Sequence, residues 1–160
     1  MSEKLNPEEL LREGQAIRFS PTGYSMYPFL NPDKGDQVIV EPAEGRKIRR
    51  GDVVLYRRDG EKTIVDPNGD QCGILVLHRV ARCKDGRYYM VGDNQNRLEG
   101  PLRRDQIFGI MMARCRGKKV LNASNLLYRM SAAVWLFVCP IRPRIAKCAA
   151  ILLGRKHAEK

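Results

Sequence analysis

The sequence predicts a mainly β domain that follows a short N-terminal helix and precedes a C-terminal helical tail. Short apolar runs rich in β-branched and aromatic residues alternate with turn pairs such as Asp-Gly, and two longer apolar stretches lie near the C-terminus. A chain of 160 residues is long enough to bury a core of its own. We therefore expect a lead-in over residues 1–16, one β domain over 17–117 and a tail over 118–160.

The first element is a predicted helix close to the N-terminus. Asn6 is a residue type that caps helices, and Pro7 suits the first helical position. Glu8 and Glu9 follow, where acidic groups favour the positive end of the helix dipole. Because Gly14 is typical of a helix end, we expect the helix to be short.

The β domain is predicted from five short runs. Each is rich in Val, Ile, Leu or Tyr, and turn-forming Gly, Pro, Asp or Asn residues separate them. This pattern indicates strands joined in hairpins. The runs are Gln37–Glu41, Asp52–Arg57, Ile74–Arg82, Arg87–Val91 and Ile107–Arg116.

The tail is predicted to be helical. Residues 122–130 have a helical pattern, and two apolar stretches follow at 130–141 and 145–153. Each stretch is shorter than the roughly 20 residues that span a bilayer. Because Pro140 and Pro143 interrupt them, we expect two short helices. These helices either pack on the β domain or lie in a membrane interface.

The net charge of +11 is concentrated in the tail. Residues 114–160 contain 11 Lys and Arg against one acidic residue, whereas residues 1–113 contain 18 against 17. An anionic membrane surface is therefore a candidate partner of the tail. Nucleic acid is disfavoured, since the region around Trp135 and Phe137 is too apolar for a base-stacking platform.

The five cysteines indicate neither a disulfide framework nor a metal site. Their number is odd, no two are spaced as Cys-x-x-Cys, and the chain has only two histidines. We expect reduced thiols, no metal and no cofactor. The cysteines are Cys72, Cys83, Cys115, Cys139 and Cys148.

Three segments contain residues suited to catalysis, although each alone is typical of ordinary structure. Ser25 lies in a stretch without strand or helix period, as turn residues do. His78 lies in an apolar strand, where alternation places it on one face with Val76 and Val80. A lone histidine there is usually a core residue, yet imidazole is also the side chain best suited to act as a base near neutral pH. Asp93 follows a strand within Gly-Asp-Asn, a typical turn.

Taken in chain order, these segments resemble the catalytic domain of type I signal peptidases. That superfamily also includes the self-cleaving domains of phage-type repressors. The resemblance covers about residues 17–117 and implies a coiled, partly open β-fold. It also implies a serine endopeptidase that cleaves after a small residue in a leader or signal-like segment. The matching residues are Gly23 to Pro28 (GYSMYP), the Gly-Asp pairs ending at Asp36 and Asp52, His78 to Val80 (HRV), Gly92 to Asn94 (GDN) and Ile107 to Gly109 (IFG).

The resemblance implies a catalytic role for four residues. Ser25 would be the nucleophile and His78 the general base, because His followed by Arg-Val matches the Ser/His branch of endoplasmic-reticulum and archaeal-type enzymes. Asp93 would orient the imidazole or stabilise its charge. Enzymes of this branch also carry an acid six residues later, which here is Glu99. The sequence leaves open which of the two acids contacts His78.

The same resemblance implies how a substrate would be held. The backbone N–H groups of Gly23 and Ser25 would form the oxyanion hole, and Met26 and Pro28 would shape the groove beside the nucleophile. Signal peptidases normally carry a transmembrane helix before the serine, and residues 1–22 contain no such span. We therefore expect a protein that is cytoplasmic or peripheral on the cytoplasmic membrane face, with a substrate other than a secretory precursor.

Two alternatives remain open. The first alternative to the peptidase is a catalytically inactive module that binds an extended peptide by strand addition. The second is a self-cleaving regulatory protease domain. The second fits the sequence less well, because no N-terminal pair of DNA-binding helices is recognisable and the predicted base is His78 rather than a lysine.

Overall fold

An open antiparallel sheet of eight strands forms the centre of the protein, with one helix before it and one after it. The structure is a computed structural model that describes residues 6–58, 63–65 and 71–139. The predicted mainly β class, with helices at the two ends, is confirmed. Among the described residues, no helix is long and apolar enough to cross a membrane.

Helix α1, Pro7–Arg12, forms where the sequence predicts it. The side-chain oxygen of Asn6 accepts a hydrogen bond of 3.1 Å from the backbone N–H of Glu8, which caps the first turn. The helix buries Leu11 in the core and ends before Gly14. Local capping signals were therefore sufficient to place this element.

All five predicted runs are strands, and the sheet contains further short strands. In the main sheet the strands lie in the order β1-β2-β9-β3-β6-β7-β8, and β10 pairs with β9. β4 and β5 form a separate pair. The strands are β1 Ile17–Phe19, β2 Gln37–Pro42, β3 Val53–Arg57, β4 Thr63–Val65, β5 Gln71–Gly73, β6 Leu75–Lys84, β7 Arg87–Val91, β8 Glu99–Leu102, β9 Ile107–Arg116 and β10 Lys119–Asn122.

Strand β9 holds the sheet together by pairing with three other strands. β2 lies along one side of it, while β3 and β10 share the other side. β10 lies beyond residue 117, so the sheet continues into the segment predicted to be a helical tail. The strands that the sequence did not predict have only three or four residues, too few for an alternating pattern to be recognised.

The sheet buries apolar side chains on both faces. Val53 and Leu55 belong to one core cluster, and the intervening Val54 and Tyr56 belong to another. Because successive side chains of a strand point to opposite faces, β3 is covered on both sides. His78 of β6 is therefore in the protein interior, with only 1% of its surface exposed.

Helix α2, Leu126–Phe137, packs one of its faces on the sheet. The Asn125 side chain caps it by accepting from two backbone N–H groups. Tyr128, Ala132 and Leu136 recur every fourth residue and are buried. The helix begins at Leu126, four residues after the predicted start at residue 122.

The opposite face of α2 exposes large apolar side chains. Leu127 is 76% exposed and Phe137 is 79% exposed, and Met130 and Val134 lie between them. Their spacing of three or four residues forms one stripe along the helix. The predicted second tail helix and the prolines before it lie outside the described residues.

Candidate active site

Ser25 and His78 line the same cavity, which has a volume of about 380 Å³. Ser25 lies in a turn between β1 and β2, whereas His78 lies in β6. Gly23 and Met26 also line this cavity, and Pro28 instead lines a smaller pocket beside Arg79. The remaining lining is largely apolar and includes Phe19, Leu30, Leu55, Leu75 and Leu77. The fold thus brings the predicted nucleophile and base to one site.

The Gly-Asp-Asn turn holds the backbone of Ser25. The N–H of Asn94 donates a 2.8 Å hydrogen bond to the carbonyl oxygen of Ser25. A Cβ atom at Gly92 would lie only 2.6 Å from that same oxygen, so no larger residue fits there. A further bond of 2.9 Å, from the N–H of Gln95 to the carbonyl of Gly92, closes the turn. The position of Ser25 therefore depends on residues 92–95.

The segment around Ser25 is also fixed by its own turns. The N–H of Tyr27 donates to the carbonyl of Tyr24 at 3.0 Å, and that of Leu30 donates to the carbonyl of Met26 at 2.8 Å. Gly23 has φ of 81°, the left-handed conformation that favours glycine. The predicted oxyanion-hole residues thus belong to a tightly turned segment beside the cavity.

The His78 ring is held from its Nδ1 side. The Tyr56 hydroxyl oxygen lies 3.2 Å from Nδ1, and the nearer carboxylate oxygen of Glu99 lies 3.7 Å from it. Tyr56 also donates a hydrogen bond to Glu99. Strands β3 and β6 make this arrangement, because Tyr56 and His78 are diagonal neighbours on one face of the pair.

Glu99 is a carboxylate surrounded by donors. Tyr56 and Arg58 both donate to it, and the Arg58 Nε bond is 3.0 Å long. Burial opposes ionisation of Glu99, but the nearby His78 ring and the hydrogen bonds from Tyr56 and Arg58 outweigh it and lower the pKa of Glu99 to about 2. Burial, together with the charge of Glu99, raises the pKa of Tyr56. At neutral pH the site therefore contains an ionised Glu99 and a neutral Tyr56.

Asp93 forms a different ion pair. Its two oxygens accept hydrogen bonds of 2.8 and 2.7 Å from Nε and Nη2 of Arg79. Arg79 also donates to the hydroxyl of Tyr128 at 2.8 Å and to the carbonyl of Gly51 at 2.9 Å. Both Asp93 and Arg79 are buried. Of the two acids that the sequence left open, Glu99 is the one that the structure places against the His78 ring.

Sequence reasoning missed Tyr56 and Arg58, and it did not predict that Asp93 pairs with Arg79. Tyr56 occupies an ordinary strand position, and its importance follows only from the pairing of β3 with β6. Arg79 belongs to the His-Arg-Val triplet, in which the resemblance implies a role only for His78. The usable signal was alternation, since it places Arg79 and His78 on opposite faces of β6.

The described residues contain no group of three or more His, Cys, Asp or Glu side chains arranged to bind a metal ion. Cys83, Cys115 and Cys139 are free thiols.

Comparisons with protein-family models, with curated proteins and with solved structures found no match to this chain. The geometry of the site therefore carries the functional argument.

Proposed function

We propose that the protein is a serine endopeptidase of the signal-peptidase type, with Ser25 as nucleophile and His78 as general base. The observation that carries this proposal is the placement of both side chains in one cavity. Tyr56 and Glu99 engage the Nδ1 side of the His78 ring. A nucleophile, a base and a group that orients the base are the parts that acyl transfer by a serine requires.

In the proposed reaction, Nε2 of His78 takes the proton of the Ser25 hydroxyl as its oxygen attacks the carbonyl carbon of the scissile bond. The negative charge that forms on the carbonyl oxygen is stabilised by the N–H groups of Gly23 and Ser25. His78 then gives its proton to the departing amine. Water hydrolyses the acyl-enzyme in the second half of the reaction, with His78 again acting as base.

Glu99 contributes by its charge. When His78 accepts a proton, it becomes a buried cation, and burial of an unpaired cation is costly. The ionised carboxylate of Glu99, 3.7 Å from Nδ1, offsets that cost. Arg58 in turn holds the carboxylate in place.

The substrate class follows from the lining of the cavity and from the family resemblance. The apolar lining suits uncharged side chains of an extended peptide. We propose cleavage after a small residue in a leader or signal-like segment. A peptide library with Ala, Gly or Ser before the cleaved bond is the matching substrate set.

The experiment compares cleavage of that library by the wild type, Ser25→Ala and His78→Ala. Both variants should lose activity, whereas Ser124→Ala, which removes an exposed serine hydroxyl, should retain it. A serine-directed acylating probe should label the wild type at Ser25. Undiminished cleavage by Ser25→Ala would refute the assignment. Peptide binding without cleavage or labelling would favour the inactive binding module.

An anionic membrane surface is the partner that we propose for the tail. The apolar stripe of α2 from Leu127 to Phe137 is exposed, and such patches mark interaction surfaces. Residues 114–160 supply ten net positive charges to the same part of the chain. Apolar side chains beside clustered cations are the combination by which helices lie in anionic membrane interfaces.

A further inference from the structure

A hydrogen-bonded group lies on the Nδ1 side of the His78 imidazole. It consists of His78, Tyr56 and Glu99. The Tyr56 hydroxyl lies 3.2 Å from Nδ1 and donates to the carboxylate of Glu99. The direct distance from Nδ1 to Glu99 is 3.7 Å, which exceeds a normal hydrogen bond. Tyr56 is therefore the hydrogen-bonding link between the base and the acid.

The number of protons in this group fixes the direction of each hydrogen bond. An ionised carboxylate can only accept, so the single hydroxyl proton of Tyr56 must point to Glu99. The hydroxyl oxygen then has only lone pairs to offer to His78. A hydrogen bond between this oxygen and Nδ1 consequently requires that Nδ1 carries a hydrogen.

The surroundings preserve this arrangement. Arg58 donates to both oxygens of Glu99, which favours the ionised carboxylate and fixes its orientation. Tyr56 is fully buried, so water does not compete for its hydroxyl group. His78 is fully buried as well, which leaves its ring little freedom to reorient.

We propose that Tyr56 is a positioning residue that holds His78 in the tautomer with its proton on Nδ1 and a free lone pair on Nε2. In this tautomer Nε2 is the basic ring atom. The opposite tautomer would carry a hydrogen on Nε2 and could not accept the proton of Ser25. The tautomer is inferred from the hydrogen bonds among His78, Tyr56 and Glu99. Its consequence for catalysis rests on the proposed peptidase function.

Nitrogen NMR of the histidine rings tests the proposal without any substrate. The chain has two histidines, and His157→Gln leaves His78 as the single reporter. With the full chain labelled at the ring nitrogens and held at a pH where the ring is neutral, Nδ1 should give the signal of a protonated nitrogen. Nε2 should give that of an unprotonated one. A protonated Nε2 in the neutral ring would overturn the proposal.

Tyr56→Phe in the same background removes the hydroxyl group and keeps the ring. The His78 signals should then become those of a mixture of the two tautomers. Tyr88→Phe is the matched control, because Tyr88 is a half-buried tyrosine packed against the core cluster that contains Tyr56. It should leave the His78 signals unchanged. If Tyr56→Phe keeps the wild-type tautomer, Tyr56 does not determine it.

Glu99→Gln provides a second variant in case Tyr56→Phe does not fold. An amide both donates and accepts, so it no longer dictates where the Tyr56 proton points. The expected result is again a mixture of tautomers, and an unchanged wild-type tautomer would count against the proposal.

Kinetics separate this inference from the proposed function. If peptide cleavage is observed, Tyr56→Phe should lower kcat about tenfold or more with little change in KM, because the base is mispositioned while the cavity keeps its shape. The predicted tautomer without cleavage of any peptide would refute the peptidase and leave the role of Tyr56 intact. Peptide cleavage together with a protonated Nε2 in the neutral ring would support the peptidase and refute the proposed role of Tyr56.

Discussion

The carbonyl oxygen of Ser25 accepts a 2.8 Å hydrogen bond from the backbone N–H of Asn94. This bond ties the segment with the candidate nucleophile to the turn after β7. A Cβ atom at Gly92, the first residue of that turn, would overlap with the same carbonyl oxygen. The geometry of Ser25 therefore depends on a distant part of the sequence.

Gly92→Ala should displace Ser25. Its new Cβ would meet the Ser25 carbonyl oxygen at 2.6 Å, and backbone atoms must shift to relieve the overlap. We expect a loss of about 1–3 kcal/mol in the free energy of unfolding and a fall in kcat of about 100-fold, since ångström-scale misplacement of a reacting group is costly. Urea denaturation and peptide cleavage measure the two effects. Gly45→Ala, at an open position whose positive φ strains an alanine, is a control that should lose stability and keep the wild-type kcat. Equal activity of Gly92→Ala and wild type would contradict the argument.

Asp93→Asn and Glu99→Gln should have different consequences. Asp93→Asn leaves Arg79 buried without its carboxylate partner, so the free energy of unfolding should fall by about 3 kcal/mol or more. Glu99→Gln removes the charge beside His78, so kcat should fall by about tenfold or more. Chemical denaturation and cleavage kinetics, performed on both variants, distinguish the two roles. A variant Asp93→Asn with wild-type stability would contradict the structural role of its ion pair.

The stability of the protein should fall with acid in a way that depends on Glu99. Its pKa is about 2 in the folded protein, below its ordinary value of 4.5. A lowered pKa means that the ionised group stabilises the fold fully above about pH 5, and that this contribution is lost as the pH falls towards 2. Because the carboxylate is only partly buried and solvent screens its partners, this contribution is on the order of 1–2 kcal/mol.

Glu99→Gln should therefore flatten the dependence of unfolding free energy on pH between about 5 and 2. Glu44→Gln changes an exposed glutamate and serves as the control. Denaturant titrations at a series of pH values provide the measurement. If both variants keep the slope of the wild type, Glu99 is not the group responsible.

Membrane binding should depend on the stripe of α2. The double variant Leu127→Ser, Phe137→Ser should lose sedimentation with vesicles that contain anionic lipid, because two large exposed side chains no longer enter the interface. Its fold should persist, since neither side chain is part of the core. Val120→Ser, a change at an exposed apolar residue of β10, should bind as wild type does. Binding of the double variant at wild-type strength would exclude the stripe as the contact.

Local features were predictable from the sequence. Helix α1 follows from its Asn6 cap and Pro7, and the longer strands follow from apolar runs between turns. The meeting of Ser25 with His78 was expected only through the family resemblance. Neither composition nor periodicity relates a turn after β1 to the middle of β6.

The choice between two acids could not be made from the sequence. His78 and Arg79 are consecutive in β6, and alternation points them to opposite faces. Each then takes the acid that the fold brings to its own face. Glu99 begins β8 opposite Met90 of β7, and Met90 pairs with Val80, two residues after His78 in β6. Asp93 lies instead in the turn that Arg79 faces. Such selection depends on sheet register, which no single segment encodes.

Trp135 and Tyr128 join helix α2 to the region of the candidate active site. Trp135 donates a 3.1 Å hydrogen bond to the backbone carbonyl of Asp93, and Tyr128 accepts from Arg79. A chain cut at residue 117 would thus lose the wall that keeps water from the Arg79–Asp93 pair. The smallest piece that can be expected to fold as a working unit must extend through α2. If the exposed stripe of α2 binds a membrane, the distance between that membrane and Ser25 is then fixed by the fold.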